Sequence, residues 1–348
     1  MERITMAHGA GGTIMQDLIE KVIVKNFGGS NAEVPLEALD DSAVIDDIVL
    51  TSDSHTVKPL FFPGGDIGRL AVAGTVNDIA VMGAEPLALT SGFIIEEGFP
   101  ISDFKRIVKS MAKTCKEAGV HIITGDTKVM EKGTLEKFVV NTSGIGKRTK
   151  VLDDNIDEVR RYRPFEARWL LDSNVRAGDK IIVSGTIGDH GVTILSFREG
   201  YDFGSEIVSD VAPLNKVIRH LLNIGGIVNM KDPTRGGLAN TLNEWSKKAK
   251  VGITIYEDAI PIREGVRAAC EMLGIDPLEV GNEGKLVIAV VPQKAEEVLI
   301  ALKKTGEGKN AEIIGEATDD FREVVIETEV GGRRILAPPI GDPVPRIC

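Results

Sequence analysis

The feature that most limits the fold is an alternation of strand and helix patterns that runs twice through the chain. The strand patterns "LALTSGFII", "VHIIT" and "FVVNTSGIG" belong to the first run, and "KIIVSG", "VGITIY" and "KLVIAVV" belong to the second. Between them, about residues 150–178 are polar and irregular in pattern. Because one core stops growing at roughly 250–300 residues, a chain of 348 residues favours two cores. The pattern predicts an α+β fold, with helices layered on sheets in two domains.

The chain divides into three predicted parts. An N-terminal domain at 1–155 begins with the glycine-rich segment "HGAGG", which we expect to be mobile, and a C-terminal domain follows at 156–337. The last part is a flexible tail at 338–348, "PPIGDPVPRIC", which contains Pro338, Pro339, Pro343 and Pro345. Such a composition favours extended polyproline-like chain at about 3.1 Å per residue, which gives a reach of about 30 Å.

Charge and cysteine content exclude several classes of protein. The chain has 41 basic and 52 acidic residues, a net charge of −11, which disfavours nucleic-acid and anionic membrane partners. The start lacks an apolar signal region, and no apolar stretch approaches the roughly 18–20 residues of a membrane span. Cys115, Cys270 and Cys348 have no C-x-x-C spacing, which argues against a disulfide framework or a structural zinc site. We therefore expect a cytoplasmic protein.

Acidic residues at turns and helix ends are the main candidates for chemistry, because the usual nucleotide motifs are missing. There is no G-x-x-x-x-G-K-[ST], and "HGAGGTI" departs from G-x-G-x-x-G at Ile14. Carboxylates at such places suit Mg²⁺, which prefers oxygen ligands and often shares them with phosphate. Each aspartate alone is better explained as a turn or capping residue. The candidates are Asp40, Asp41, Asp53, Asp78, Asp126 and Asp232.

One predicted helix has an unusual interior. It runs from a capping Asp66 to Gly83 and contains Gly74, one turn before Asp78. A glycine inside a helix costs about 1 kcal/mol relative to alanine. Close approach of a ligand and close helix packing explain it equally well.

Taken in order, "DDSAV", "TSDSHTVKP", "VNDIAVMGAEP", "TGDTK" and "DPTRGGL" resemble the motifs of the aminoimidazole ribonucleotide synthetase-like superfamily of ATP-using enzymes. That superfamily includes selenophosphate synthetase and thiamine-phosphate kinase. With "HGAGG" at the start and "PRIC" at the end, the whole chain is similar to the HypE family of hydrogenase maturation proteins, which make the cyanide ligand of the nickel–iron site. The resemblance implies a two-domain chain that pairs through its first half in a homodimer, with ATP between the domains.

The resemblance also implies a set of site residues. By position, Asp41, Asp53, Asp78 and Asp232 look like ligands of Mg²⁺ and phosphate. Other implied contributors to cofactor binding are Lys58, Asn77 and Asp126, together with Gly11 and Gly12 in a mobile glycine-rich flap around His8. Selenophosphate synthetase has a cysteine or selenocysteine and a lysine in its flap, and this chain has neither.

For Cys348 the resemblance implies a carrier role. A carbamoyltransferase, HypF, would load the thiol with a carbamoyl group, and ATP would drive its dehydration to a thiocyanate. The cyanide would then pass to iron on the scaffold proteins HypC and HypD. Glu283 and Lys128 match positions that handle protons, although a turn acid and a solvated lysine explain them as well from the residues alone.

Other interpretations of these features remain. A cysteine ends about one chain in a hundred by composition alone. If Cys348 is such a chance occurrence, the chain is an ATP-dependent synthetase or kinase of the same superfamily that acts on a free small molecule. In a third interpretation the tail is a non-catalytic carrier and the acidic residues only stabilise the fold. Cys115 and Cys270 lie in helix patterns, which is typical of buried, inert cysteines.

Overall fold

The computed structural model describes residues 3–9, 11–201, 207–341, 344 and 346–348. Pro343 and Pro345 of the predicted tail lie outside the described residues. A π-helical segment, Ile19–Val24, joins the first two α-helices into one continuous helix. The α-helices are α1 (Thr13–Leu18), α2 (Lys25–Phe27), α3 (Ile67–Val81), α4 (Ile101–Ala118), α5 (Lys150–Arg160), α6 (Asp189–Glu199), α7 (Asn215–Ile224), α8 (Gly237–Ala249), α9 (Glu264–Leu273) and α10 (Ala295–Lys303).

Most of the described strands form one large sheet in each half of the chain, and two short strands, Phe61–Phe62 and Gly65–Asp66, pair separately with each other. They are β1 (Ala43–Ile45), β2 (Ile48–His55), β3 (Phe61–Phe62), β4 (Gly65–Asp66), β5 (Glu85–Glu96), β6 (His121–Met130), β7 (Phe138–Lys147), β8 (Lys180–Val183), β9 (Ile227–Lys231), β10 (Gly252–Tyr256), β11 (Val287–Val290), β12 (Glu312–Thr318), β13 (Val324–Glu327) and β14 (Arg333–Ile335). The first sheet has the order β1-β2-β7-β5-β6, and the second has the order β14-β13-β10-β12-β8-β11-β9. Helices cover these sheets, so the predicted α+β fold is confirmed.

Helix α3 is the centre of the N-terminal half. Asp66 caps it, because its carboxylate accepts hydrogen bonds from the backbone N–H groups of Gly68 and Arg69. Nearly all of its residues are buried, since it packs against the first sheet and against α4 and α7. A Cβ atom added at Gly74 would lie 3.2 Å from the ring of His55. Close packing by the buried ring of His55 therefore accounts for this glycine.

The core continues from one half of the chain to the other. One apolar cluster contains Ile79 and Leu152 from the first half and Leu221 and Ile288 from the second. Helix α5 belongs to this cluster, and the prediction of irregular chain was wrong for its residues. Leu152, Ile156 and Val159 recur at helical spacing and form a buried stripe that the surrounding charges obscure in the sequence. The predicted domain boundary at residue 155 falls inside α5 and remains a prediction.

Strand β6 is an open edge of the first sheet. All ten of its residues are exposed, including Ile123 and Val129.

The C-terminal tail packs against the fold. Val344 and Ile347 are buried in the core cluster that also contains Val57 and Phe62. The described part of the tail is therefore docked against the fold in this structure. No helix among the described residues is long and apolar enough to cross a membrane.

Candidate active site at the domain junction

Three predicted carboxylates from separate parts of the chain meet where the two halves join. Asp41 precedes β1, Asp78 lies in α3 and Asp232 follows β9, and their ligand oxygens lie within 4.8 Å of one another. Strand β2 supports this group, since Thr51 Oγ1 donates to Asp78 Oδ2 at 3.0 Å. Asp53, two residues further along β2, accepts a hydrogen bond from Thr75 Oγ1 at 2.9 Å. We call Asp41, Asp53, Asp78 and Asp232 the acidic cluster.

The acidic cluster carries excess negative charge. Burial raises the pKa of Asp78 well above its usual value, and the charges of Asp53, Asp232 and Asp41 raise it further. Burial and then the charge of Asp41 raise the pKa of Asp232 to about 8, against the opposing influence of Lys231. Among the described residues, the buried Oδ2 of Asp232 has no hydrogen-bond partner. Several carboxylate oxygens that lie close together, with too few neighbouring cations to balance their charge, fit a hard divalent cation such as Mg²⁺.

A second group of charges adjoins the first and was missed in the sequence. Lys231 pairs with Asp41 at 2.9 Å, with Glu244 at 3.0 Å and with Asp172 at 3.3 Å. Burial favours the uncharged amine, but the charges of Asp172, Asp41 and Glu244 raise the pKa of Lys231 well above its usual value. The only hint in the sequence is a lysine that ends the otherwise uncharged strand "IVNMK".

Lys248 completes this second group. Its Nζ lies 2.7 Å from Asp172 and 3.6 Å from Asp40. We call Asp40, Asp41, Asp172, Glu244, Lys231 and Lys248 the lysine-paired cluster. Gln16 donates to Glu244 Oε1 at 3.3 Å. This bond connects α1, the helix that follows the flap in the chain, to the lysine-paired cluster.

The structure gives Asn77 a different set of contacts from those of the acidic cluster. Its side chain donates to the backbone oxygen of Ala212 at 3.2 Å and accepts from the backbone N–H of Leu214 at 2.8 Å. The residue is fully buried and joins α3 to the segment before α7. A contact with the cofactor stays a prediction for this residue.

Three other predicted residues lie apart from the acidic cluster within one chain. Lys58 pairs with Glu136 at 2.6 Å on the surface. Asp126 and Lys128 lie on β6, each with a side chain 73% exposed. Strands β7 and β5 lie between Asp53 on β2 and the strand β6. The distance from Asp53 to β6 across the sheet is therefore three strand spacings, or about 14 Å. A single copy of the fold does not bring Asp126 or Lys128 to Asp53.

Glu283 lies on the other side of the acidic cluster, in the loop before β11. It is buried, and its Oε1 has no hydrogen-bond partner among the described residues. Burial raises its pKa well above the usual value, and the charges of Asp232 and Asp210 add to this effect, while Arg235 opposes it. The predicted proton-handling residue therefore lies close enough to Asp232 to feel its charge.

The glycine-rich flap contacts the tail. A Cβ atom at Gly12 would lie 2.2 Å from the backbone oxygen of Pro339, and one at Gly11, where φ is +80°, would lie 2.6 Å from Arg235 Cβ. Only residues without a side chain allow this approach. Whether Gly11 and Gly12 also contact phosphate stays a prediction.

Cys348 lies in a cavity of about 560 Å³, which is also lined by His8, Thr56 and Arg235. Negative charge at Cys348 is the largest influence that raises the pKa of Arg235, and Glu283, Asp53 and Asp78 raise it further. Arg235 is therefore close enough to the end of the tail and to the acidic residues to interact with the charges of both. The motif "DPTRGGL" pointed to Asp232, and nothing in its pattern singles out Arg235.

Comparison with known proteins identifies the family. The AIR synthase related protein N-terminal domain matches residues 39–147, and the corresponding C-terminal domain matches residues 176–327. A carbamoyl dehydratase HypE of Bradyrhizobium diazoefficiens is 45% identical, over 99% of this chain and 96% of that protein. The chain belongs to the HypE family of carbamoyl dehydratases. The predicted family is confirmed, and so is the prediction that the chain is an enzyme.

Two solved structures agree with this assignment. A HypE structure in complex with ATP shares 40% identity and a TM-score of 0.79, and the match covers 99% of this chain and 100% of that one. HypE in a HypE–HypF complex shares 48% identity and a TM-score of 0.83, over 92% of this chain and 99% of that one. The two-domain architecture of the family therefore extends to this chain.

Proposed function

We propose that this chain uses ATP to dehydrate a carbamoyl group carried on Cys348, and so makes the thiocyanate that supplies cyanide during hydrogenase maturation. The observation that carries the proposal is the docked tail. Cys348 lies in the cavity beside Arg235, whose guanidinium also feels the charges of Glu283, Asp53 and Asp78. The family membership and the ATP complex of a relative support the choice of ATP.

The proposed reaction balances without an external oxidant or reductant. The oxygen of the S-carboxamide attacks the γ-phosphorus of ATP, and ADP leaves. The nitrogen gives up two protons, the carbon–oxygen bond breaks, and phosphate departs with the former carboxamide oxygen. The product is a nitrile on the sulfur, formed because phosphate is a far better leaving group than hydroxide.

The acidic cluster is the proposed site for Mg²⁺ and the phosphates, with Asp41, Asp78 and Asp232 as ligands and Asp53 beside them. When bound there, the ion would offset the negative charge of phosphoryl transfer. Glu283 is the proposed acceptor of an amide proton. A raised pKa suits a carboxylate that takes up and releases a proton near neutral pH.

We also propose a homodimer in which a second copy covers β6. A fully exposed edge strand that displays Ile123 and Val129 is a surface that proteins normally cover. Pairing would carry Asp126 and Lys128 away from solvent, and a site formed by two chains would account for their distance from Asp53. Lys128 is then a proposed proton-handling residue of the assembled dimer.

The proposed partners follow from the chemistry at the two ends of the reaction. HypF is the proposed source of the carbamoyl group, and the HypE–HypF complex of a similar chain supports this choice. HypC and HypD are proposed as acceptors of cyanide on the basis of the family resemblance. The cytoplasmic location stays a prediction of the sequence.

The test is peptide-level mass spectrometry of Cys348. The thiol is carbamoylated with cyanate, excess reagent is removed, and Mg²⁺ and ATP are added. We expect the carbamoylated C-terminal peptide to lose one water only when both are present. Cyanate also modifies amines, and carbamoylated lysine peptides in the same digest, which should keep their mass, are the internal control.

Two outcomes would contradict the proposal. A carbamoyl group that stays intact on Cys348 with Mg²⁺ and ATP would favour a free small-molecule substrate. Dehydration that continues without ATP or in a variant lacking Asp78 would favour the carrier interpretation, in which the acidic cluster serves only the fold.

A further inference from the structure

Two separate elements form short hydrogen bonds, of 3.1 Å or less, to the backbone oxygens at the end of the tail. On one side, the backbone N–H groups of Thr56 and Lys58 donate to the backbone oxygens of Cys348 and Arg346, each at 3.1 Å. On the other side, His190 Nε2 lies 2.8 Å from the backbone oxygen of Ile347. Thr56 and Lys58 follow β2, whereas His190 lies in the first turn of α6. We call Thr56, Lys58 and His190 the tail slot.

The surroundings of His190 fix which ring nitrogen carries a proton. The ring is fully buried, packs edge-on against Phe62 and has Nδ1 2.7 Å from Ser209 Oγ. A carbonyl oxygen can only accept, so Nε2 must carry the hydrogen that bonds Ile347. Burial lowers the pKa of His190, so the ring is neutral and Nδ1 accepts from the Ser209 hydroxyl. The Ile347 oxygen thus selects the tautomer, and the Ser209 hydroxyl, which can donate, satisfies Nδ1 and holds the ring in place.

We propose that His190 is a positioning residue that sets the register of the tail and so holds Cys348 in the cavity beside Arg235. This inference rests on the proposed function, because the register matters only if Cys348 carries the reacting group. A slip by one residue would move the chain by about 3.3 Å and would shift the left-handed backbone of Arg346, where φ is +60°, away from its position before Ile347. The oxygen of Ile347 would then no longer lie opposite His190.

Packing of the neighbouring side chain supports the same register. Ile347 is buried, and a Cβ atom at Gly281 would lie 2.5 Å from its Cδ1 atom. The Ile347 side chain therefore occupies space that a glycine leaves open, while its backbone oxygen is bound by His190. Thr56 and Lys58 act mainly through backbone N–H groups, and the bond from Thr56 Oγ1 to the oxygen of Cys348 is long at 3.4 Å. His190 therefore provides the short side-chain bond of the tail slot, at 2.8 Å.

Two substitutions of His190 separate positioning from packing. H190F keeps a ring of similar size but has no donor, whereas H190Q keeps an N–H group near the position of Nε2. The first readout is the rate at which iodoacetamide alkylates Cys348, followed on the C-terminal peptide without nucleotide. We expect H190F to react about tenfold faster than wild type, since one buried hydrogen bond is worth on the order of 1 kcal/mol. H190Q should stay within about threefold of wild type.

The second readout is single-turnover dehydration of the carbamoylated tail with saturating Mg²⁺ and ATP. We expect a rate about tenfold lower for H190F, an ATP affinity equal to that of wild type, and recovery in H190Q. Equal alkylation and dehydration rates in H190F and wild type would overturn the inference. Equal defects in H190Q and H190F would also overturn it, because they would indicate a packing function of the ring.

A further variant covers the case in which H190F fails to fold. S209A retains the imidazole but removes the partner of Nδ1, so the ring is held less firmly in the orientation that presents Nε2 to Ile347. We expect alkylation of Cys348 to be about threefold faster, and an unchanged rate would contradict the proposal. If wild type itself fails to dehydrate the tail, the proposed function fails, while the alkylation rates still test the register.

Discussion

Two clusters of carboxylates share Asp41 at the domain junction, yet the pKa values of two of their buried acids, Asp172 and Asp232, move in opposite directions. In the lysine-paired cluster, burial acts to raise the pKa of Asp172, but Lys231 and Lys248 overcome it and lower that pKa to about 2. In the acidic cluster, burial and Asp41 raise the pKa of Asp232 to about 8 despite Lys231. Burial of several acids therefore does not by itself indicate a metal site. The supply of paired cations decides whether acids form a structural network or a site that favours an added ion.

The largest effect should come from removing the central cation of the lysine-paired cluster. In K231M, Asp41, Asp172 and Glu244 lose a common partner, and breaking a buried ion pair typically costs about 3–5 kcal/mol. We expect a loss of that size in the free energy of unfolding, measured by urea denaturation. The matched control is K21M, because Lys21 pairs with Asp17 on the surface. A loss below about 1 kcal/mol in K231M would show that the cluster does not depend on this lysine.

The acidic cluster should couple magnesium binding to proton release. In the folded protein the pKa of Asp41 is raised to about 6 and that of Asp232 to about 8, against 3.8 in the unfolded chain. The stability from these groups is therefore fully present below about pH 4 and is lost as the pH rises toward 8. Mg²⁺ must displace the same protons, so its affinity should rise about tenfold from pH 6.5 to 8.

Calorimetric titration of Mg²⁺ measures this coupling. Two buffers with different ionisation enthalpies at each pH give the number of protons released. We expect more protons released at pH 6.5 than at pH 8. An affinity that does not change across this range, with no proton release, would contradict the raised pKa values of the acidic cluster.

The smallest effect should have opposite signs in the two clusters. D78N removes a carboxyl group whose ionisation is opposed by burial and by the neighbouring acids. It should stabilise the metal-free protein by about 1 kcal/mol, while it abolishes stabilisation by Mg²⁺ and ATP. The same change in the lysine-paired cluster, D172N, should destabilise the protein, since Lys231 and Lys248 lose a partner. Thermal unfolding in EDTA and in Mg²⁺ with ATP measures both. Destabilisation of metal-free D78N would contradict the comparison.

The sequence predicted the elements that depend on local patterns. Asp41, Asp78 and Asp232 were candidates by their places at turns and in helices, the family resemblance implied their role as ligands, and the fold brings their oxygens together. The helix bounded by Asp66 and Gly83 was predicted from its cap and its small residues, and the structure confirms it.

What the sequence did not reveal depends on contacts between distant segments. Lys231 resembles an ordinary lysine at a strand end until Asp172 and Glu244 are placed around it. His190 was not a candidate, because nothing nearby in the sequence indicates that the chain end returns to it. Asp126 and Lys128 came from a motif, and motif order carries no information on how many strands separate β6 from β2.

The contacts that hold the tail also limit how often it is released. At about 1 kcal/mol net for each bond, the three short bonds to its backbone oxygens would alone leave roughly one molecule in 150 with its tail released. The Arg346 guanidinium, which donates to the backbone oxygen of Thr56, and the buried side chains of Val344 and Ile347 lower that fraction further. An enzyme that must draw the whole tail into its own active site binds only this minor population. Its apparent affinity is weaker than its intrinsic affinity by the same factor, unless it contacts the docked form first. The small fraction of molecules with a released tail, and not the reactivity of the thiol, would then limit the rate at which the tail is loaded.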